Sequence, residues 1–130
     1  MGVAKMKTRK PGKARKRLYN APHHIRRKFL SAPLSPRLRA EYGVRTMTVR
    51  KDDVVMVLKG DYKMREGKVI RVDTKKGFIY IEGLTREKAD GSTVPIPIRP
   101  CNVMITELKL DDWRRKILKR RGYEAKVGAE

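Results

Sequence analysis

Four places in the chain carry side chains that could do chemistry. His23-His24 offers two imidazoles, Asp52-Asp53 and Asp111-Asp112 offer carboxylate pairs, and Cys101 offers the one thiol. A metal site needs several convergent ligands, and adjacent histidines on a helix point to different faces with no Cys or His partner near in sequence. Contact with phosphate or base, or plain exposure, fits them better. Each aspartate pair stands at the start of a predicted element, where acids cap helices and offset neighbouring cations rather than exchange protons with a substrate. Cys101 follows Pro100 with no base beside it, the setting of a quiet, partly buried thiol. The chain has no Ser-His-Asp arrangement, phosphate-cradling Walker loop or paired CxxC. These residues indicate a non-enzyme with no metal, cofactor or small-molecule substrate.

The remaining chemistry is that of positive charge. In 130 residues, 34 Lys and Arg face 14 Asp and Glu, a formal charge of +20. The commonest partner able to neutralise that excess is nucleic acid, whose condensed counterions are released on binding. An anionic membrane would call for a broad apolar helix face or a lipidation motif. Gly2 is followed by Met6 where a myristoylation motif wants Ser or Thr, and the longest apolar run, Val54 to Leu58, is far too short to span a bilayer. Basic residues near the start lead into no apolar stretch, so no secretory signal is expected. A lone cysteine suits a reducing compartment, cytosolic or nuclear. The charge is uneven: residues 1–50 hold 15 cations against one acid, residues 51–110 hold 12 against nine, and residues 111–130 hold seven against four. A nearly balanced middle flanked by basic ends reads as a folded core with an electrostatic anchor.

Three stretches must position these charges. Residues 1–43 form a basic N-terminal extension. Met1 to Arg17 has little to pack and is expected to order only against a counter-surface. A short helix is predicted from about Ala21 to Ser31, capped by Asn20, with Ile25 and Phe29 as its apolar pair. A second runs from Ser35-Pro36 through Tyr42 to a stop at Gly43. Residues 44–110 change to β-rich runs at Val54–Lys59, Lys68–Asp73, Phe78–Glu82, Val94–Ile98 and Val103–Thr106. Gly60-Asp61, Lys75-Lys76-Gly77 and Asp90-Gly91 punctuate them. Five short strands with tight turns predict a small closed or nearly closed barrel. Pro95, Pro97 and Pro100 confine their stretch to an edge or an irregular crossing, and Phe78 and Tyr80 read as core and pairing residues. Residues 111–130 hold a helix from Asp112 to Arg121 and a tail. Asp111 is its cap, Trp113 and Ile117 its apolar pair, and Gly122 its end.

Residues 55–72, VMVLKGDYKMREGKVIRV, join two β runs by a basic loop that opens and closes on glycine. Gly60 suits a turn needing positive φ or a close backbone approach, and Gly67 suits re-entry into a strand at a bulge. Lys59, Lys63, Arg65 and Lys68 crowd the loop with cations that can approach a phosphate backbone together with peptide N–H groups. The stretch resembles a KOW motif. Residues 20–28 (NAPHHIRRK), 50–53 (RKDD), 86–91 (REKADG) and 108–112 (LKLDD) resemble the archaeal and eukaryotic form of the KOW-containing large-subunit ribosomal protein family numbered twenty-four, or twenty-six in eukaryotes. The likeness runs from about residue 15 to about residue 120. Met64 departs from it, standing where KOW loops commonly have glycine. No long tail follows the last helix, which favours the archaeal form.

The resemblance implies a mainly β protein: an SH3-like barrel with short flanking helices and a basic extension. It also implies direct binding to large-subunit rRNA beside neighbouring ribosomal proteins, early in subunit assembly and near the exit of the peptide tunnel, in the cytoplasm. The residues expected to touch RNA fall in five groups. The arm contributes Arg9, Lys10, Lys13, Arg15, Lys16 and Arg17; a basic cluster of this kind can also serve as a localisation signal. The helix after it contributes His23, His24, Arg26, Arg27 and Lys28. Arg45, Arg50 and Lys51 come from the entry to the barrel, and Lys59, Gly60, Tyr62, Lys63, Arg65, Gly67 and Lys68 from the loop. Arg86 and Lys88 come from a later hairpin. Two rival functions differ in kind. A KOW module of the transcription-elongation class predicts a more neutral module joined to another domain, and a histone-like DNA-compacting protein predicts a dimer seam; neither feature is evident.

Overall fold

Alternation of apolar and polar residues builds the sheet. Along β3 (Val54–Val57) and β7 (Val103–Glu107), every second side chain is buried, with Val55, Val57, Val103 and Ile105 at 2% exposure or less. In β4 (Glu66–Asp73) Val69 is buried, and in β5 (Phe78–Glu87) Ile79, Ile81 and Leu84 are. With β6 (Thr93–Ile98) they form one antiparallel sheet in the order β6-β5-β4-β3-β7, so the last strand returns to pair with the first. This computed structural model describes residues 8–121. It is a small mainly β fold of the SH3-like kind with a few short helices. β6 lies at the sheet edge, as Pro95 and Pro97 require.

Register shifts bend the strands. One falls between Val69 and Arg71, leaving Ile70 43% exposed, and a larger one divides β5 between Tyr80 and Thr85 around Gly83. The bulge expected at Gly67 therefore lies three residues further on. Gly67 answers a different constraint: a Cβ there would stand 2.6 Å from Ile81 Cγ2 and 2.9 Å from the Glu82 carbonyl oxygen. Phe78 and Tyr80 are not core residues. They alternate with buried Ile79 and Ile81 and lie half-buried on the other face, under Arg99 and Arg71 respectively.

The segment before the barrel is tied into it. β1 (Ser31–Pro33) pairs antiparallel with β2 (Thr46–Thr48), two strands too short to show a sequence period. Leu34 bridges Ile105 in parallel, and the Ser35 N–H donates to the Ile105 carbonyl at 2.9 Å. Ala32, Leu34, Leu38 and Tyr42 thereby join the same core as the barrel strands. α3 (Pro36–Tyr42) takes its expected form: the Ser35 hydroxyl accepts from the Leu38 N–H, and Gly43 ends the helix at φ 70°.

Other expectations need correction. Residues Pro11–Asn20 form a helix, α1, where an unstructured arm was expected; Pro11 in its first turn is preset for helical φ, and Lys13 to Leu18 are all good helix formers. Residues 1–7 of that arm, and Gly122, lie outside the described residues. Asn20 ends α1 rather than capping the next helix, which is a single turn, α2 (His23–Arg26), running on into a 3₁₀ turn (Arg27–Leu30). Ser31 already belongs to β1. Cys101, on the 3₁₀ turn Pro100–Asn102, is exposed, because it is Pro100 that turns inward.

The last helix, α4 (Asp112–Arg120), is capped by Asp111, whose carboxylate accepts from the Arg114 N–H at 2.7 Å. Its inward pair is Arg114 and Leu118, each 1% exposed, while Trp113 is 64% exposed and Ile117 37%. An arginine takes the inner position because a buried carboxylate, Asp53, waits there.

Candidate nucleic-acid interface

The loop between β3 and β4 is built by its own backbone. The Val57 N–H donates to the Arg65 carbonyl at 2.9 Å and the Met64 N–H returns the bond to Val57 at 2.8 Å. The Lys63 N–H donates to Gly60 and the Arg65 N–H to Tyr62. Closing so short a path takes two left-handed residues, Gly60 at φ 98° and Met64 at φ 70°. Tyr62 packs partly against the core, and the Arg65 guanidinium lies over its ring at 5.3 Å. Lys59, Lys63, Arg65 and Lys68 all remain exposed. The loop is thus a hydrogen-bonded backbone frame that presents exposed cations.

A second cationic surface is the N-terminal segment. Arg9 and Lys10 precede α1, which exposes Lys13, Arg15 and Lys16, half-buries Arg17 and contains no buried residue. A ten-residue helix with no apolar face is marginal alone. Arg26 holds its end: the guanidinium donates to the carbonyls of Tyr19 (2.6 Å), Ala21 (2.8 Å) and Lys75 (2.6 Å), fixing the α1–α2 junction on the β4–β5 turn. His23, His24, Arg27 and Lys28 are exposed beyond that clamp, and so is Arg45 just before β2. Arg86 and Lys88 lie at the far end of β5, where the Lys88 N–H closes the hairpin on Ser92 at 2.7 Å.

Arg50 and Lys51 sit where two of the recognisable strings meet. Residues 50–53 and 108–112 interlock. Arg50 pairs with Asp111 at 2.5 Å and Lys109 with Asp52 at 2.9 Å, both pairs partly exposed. Asp53 is fully buried and forms a two-pronged ion pair with Arg114, with Nη2 to Oδ2 at 2.6 Å. Its remaining lone pairs accept from the backbone N–H groups of Arg50 and Lys109, while Arg114 also donates to the carbonyls of Thr48 and Lys109. Every charge in this buried knot has partners, as such a pair requires. Hydrogen bonding to Lys109 holds the Asp52 carboxyl below its usual range, and the Arg114 N–H, with Arg50 nearby, does the same for Asp111.

Sequence reasoning missed Arg114, because an arginine on a helix reads as solvated. It also missed what α4 encloses. A groove of about 770 Å³ runs between α4, the Arg27–Leu30 turn and β2, with Trp113 on its wall. The available signals were the i,i+4 spacing of Arg114 and Leu118 and the unmatched charge at Asp53.

Comparison with known proteins agrees with this geometry. A family model for the ribosomal proteins numbered L26 in eukaryotes and twenty-four in archaea matches residues 8–121. The chain is similar to the large ribosomal subunit protein uL24 of Korarchaeum cryptofilum (strain OPF8), 49% identical over 120 residues that cover 92% of each chain. Four of the five strings carrying the resemblance take part in these features: residues 55–72 in the loop, 20–28 at the α1–α2 junction, and 50–53 with 108–112 around the buried Asp53–Arg114 pair. The chain belongs to this family of ribosomal proteins, structural constituents of the large subunit rather than enzymes.

Proposed function

We propose that the chain binds large-subunit rRNA directly, through two surfaces joined by one fold. The β3–β4 loop docks on a folded RNA site, and the cations of residues 9–28 lay charge along the adjacent backbone. The observation that carries this reading is the loop itself. Its path is locked by reciprocal backbone bonds and two left-handed residues, and all four of its Lys and Arg side chains stay exposed. Recognition is by phosphate position and backbone shape, since A-form grooves offer side chains little sequence to read. The extension, barrel and C-terminal helix, at residues 1–43, 44–110 and 111–130, divide the charge rather than the folding, because the core runs through all three.

Membership of a family of large-subunit ribosomal proteins supports a location in the cytoplasmic ribosome, beside neighbouring large-subunit proteins. The reading extends to early subunit assembly and a position near the peptide exit tunnel, both of which the family resemblance implies. Filter binding of the protein to large-subunit rRNA fragments, against excess tRNA, tests the reading. One fragment should be retained selectively at moderate salt, and hydroxyl-radical footprints should fade there in Lys63→Ala and Arg65→Ala. Equal retention of tRNA and rRNA would overturn it.

A further inference from the structure

The groove beside α4 lies apart from the β3–β4 loop and has its own chemistry. Leu30, Met47, Val49 and Val72 supply apolar wall, and Trp113 with Ile117 lines the helix side. Seven of its lining residues are Lys or Arg, and among the described residues none is Asp or Glu. Two of the seven, Arg50 and Arg114, are already paired to aspartates. Arg27, Lys51 and Arg120 are exposed at its margin. The volume is that of a site for a small ligand or one unit of a polymer.

Trp113 is the telling residue. It is the largest side chain available and the chain's only tryptophan, yet it is 64% exposed one position from a fully buried arginine. Lys116, which does not line the groove, lies over the indole at 4.6 Å. An indole at the wall of a cleft with an apolar floor and a lining rich in cations matches a flat, apolar-faced, anionic-backed ligand. We propose that this groove receives an unpaired nucleotide of RNA, its base against Trp113 and its flanking phosphates on Arg27, Lys51 and Arg120. The inference rests on the RNA-binding reading above and adds a base-accepting site to it. Unpaired nucleotides are where a protein can reach base faces, and stacking on an aromatic ring tolerates any base. An acidic peptide could match the rim charge, but it would leave the aromatic wall without a planar partner.

The lone tryptophan makes the groove its own reporter. The full chain is titrated with a short oligouridylate, an abasic ribose-phosphate strand of equal length and a fully paired RNA duplex, while its emission is followed. In the same buffer, retention of a large-subunit rRNA fragment is measured. The oligouridylate should quench Trp113, whereas the abasic strand and the duplex bind without quenching. Measured by filter retention of labelled oligouridylate, Trp113→Ala should weaken binding about 5- to 150-fold, the span implied by roughly 1–3 kcal/mol per stacked base. Trp113→Tyr should recover much of that loss, and neither exposed-site variant should lower the melting temperature. Equal quenching by the abasic strand, or unchanged affinity in Trp113→Ala, overturns the proposal while leaving the loop reading intact if the rRNA fragment is still retained. Emission that responds to an acidic peptide and not to oligouridylate assigns the groove to a protein partner and also overturns it. Loss of rRNA retention by the wild-type chain removes both readings together.

Discussion

Met64 holds a left-handed conformation, φ 70°, at a position where the KOW pattern commonly has glycine. A non-glycine residue there costs roughly 1–2 kcal/mol, and glycine in its place brings back part of that cost as unfolded-state entropy. Met64→Gly should therefore stabilise the protein by at most about 1 kcal/mol, read as a melting temperature higher by a few degrees. A lower melting temperature would mean that the exposed Met64 side chain makes contacts that matter. The two flanking glycines behave differently. Gly60 has open space around a Cβ but sits at φ 98°, so its cost is conformational; Gly67 has ordinary φ but no room, because Ile81 and the Glu82 carbonyl crowd the site. Gly67→Val should cost about 1–3 kcal/mol or more, whereas Lys63→Ala stays within about 0.5 kcal/mol and lowers RNA affinity instead. Melting curves on the same variants separate the roles, and equal losses for glycine and lysine changes would refute them. That both glycines mattered was legible in the sequence. Which constraint applied to each was not, since a close approach between β4 and β5 is visible only once the strands are paired.

At the scale of elements, strands with strong alternation were legible, and so was α3 with its serine cap and glycine stop. β1 and β2 were not, being three residues each and identified only by the pairing of Ala32 with Met47 across them. The inward face of α4 was misread because hydropathy cannot see a charge that has a buried partner. Removing one member of such a pair leaves the other uncompensated, at about 3–5 kcal/mol. Arg114→Met should accordingly lose about 3–5 kcal/mol in urea denaturation, whereas Asp111→Asn, at the exposed cap, should lose far less. The cap and the Asp52–Lys109 pair also set an acid limit. Both carboxyls titrate below their ordinary value of 3.8 in the folded chain, so the stability they supply is fully present above about pH 4 and is lost as pH falls through their folded values. These two carboxyls contribute a loss of stability that sets in as pH falls below about 4, and Asp52→Asn with Asp111→Asn should remove that share of any acid descent. A profile already falling at pH 6 would place the acid-sensitive groups elsewhere.

For the whole molecule, charge and core are distributed differently, and that difference decides how the protein can be divided. Residues 30–42 send Leu30, Ala32, Leu34, Leu38 and Tyr42 inward, so a cut after residue 43 would strip side chains from the barrel's own interior. α1 buries nothing, and its hold on the rest includes the bond from Arg26 to the Tyr19 carbonyl. Removal of residues 1–20 should therefore leave a folded protein with a melting temperature close to that of the full chain. It takes away eight Lys and Arg and no acid, while the β3–β4 loop and the Asp53–Arg114 knot stay in place. The slope of log affinity against log salt falls by about 0.7 to 0.9 for each phosphate that is no longer neutralised. The truncated chain should thus bind large-subunit rRNA more weakly and with a shallower salt dependence. Its preference for rRNA over tRNA should persist if, as proposed, the loop supplies selectivity and the helix supplies charge. On the proposed reading the full chain should gain over either surface alone, because the second contact would be intramolecular once the first had formed. Competition against bulk tRNA across a salt series, with full-length and truncated protein side by side, separates the two contributions. A truncated chain with an unchanged salt slope would show that residues 1–20 do not lie on RNA. One that kept its affinity at low salt but lost its preference would move recognition from the loop to the N-terminal helix.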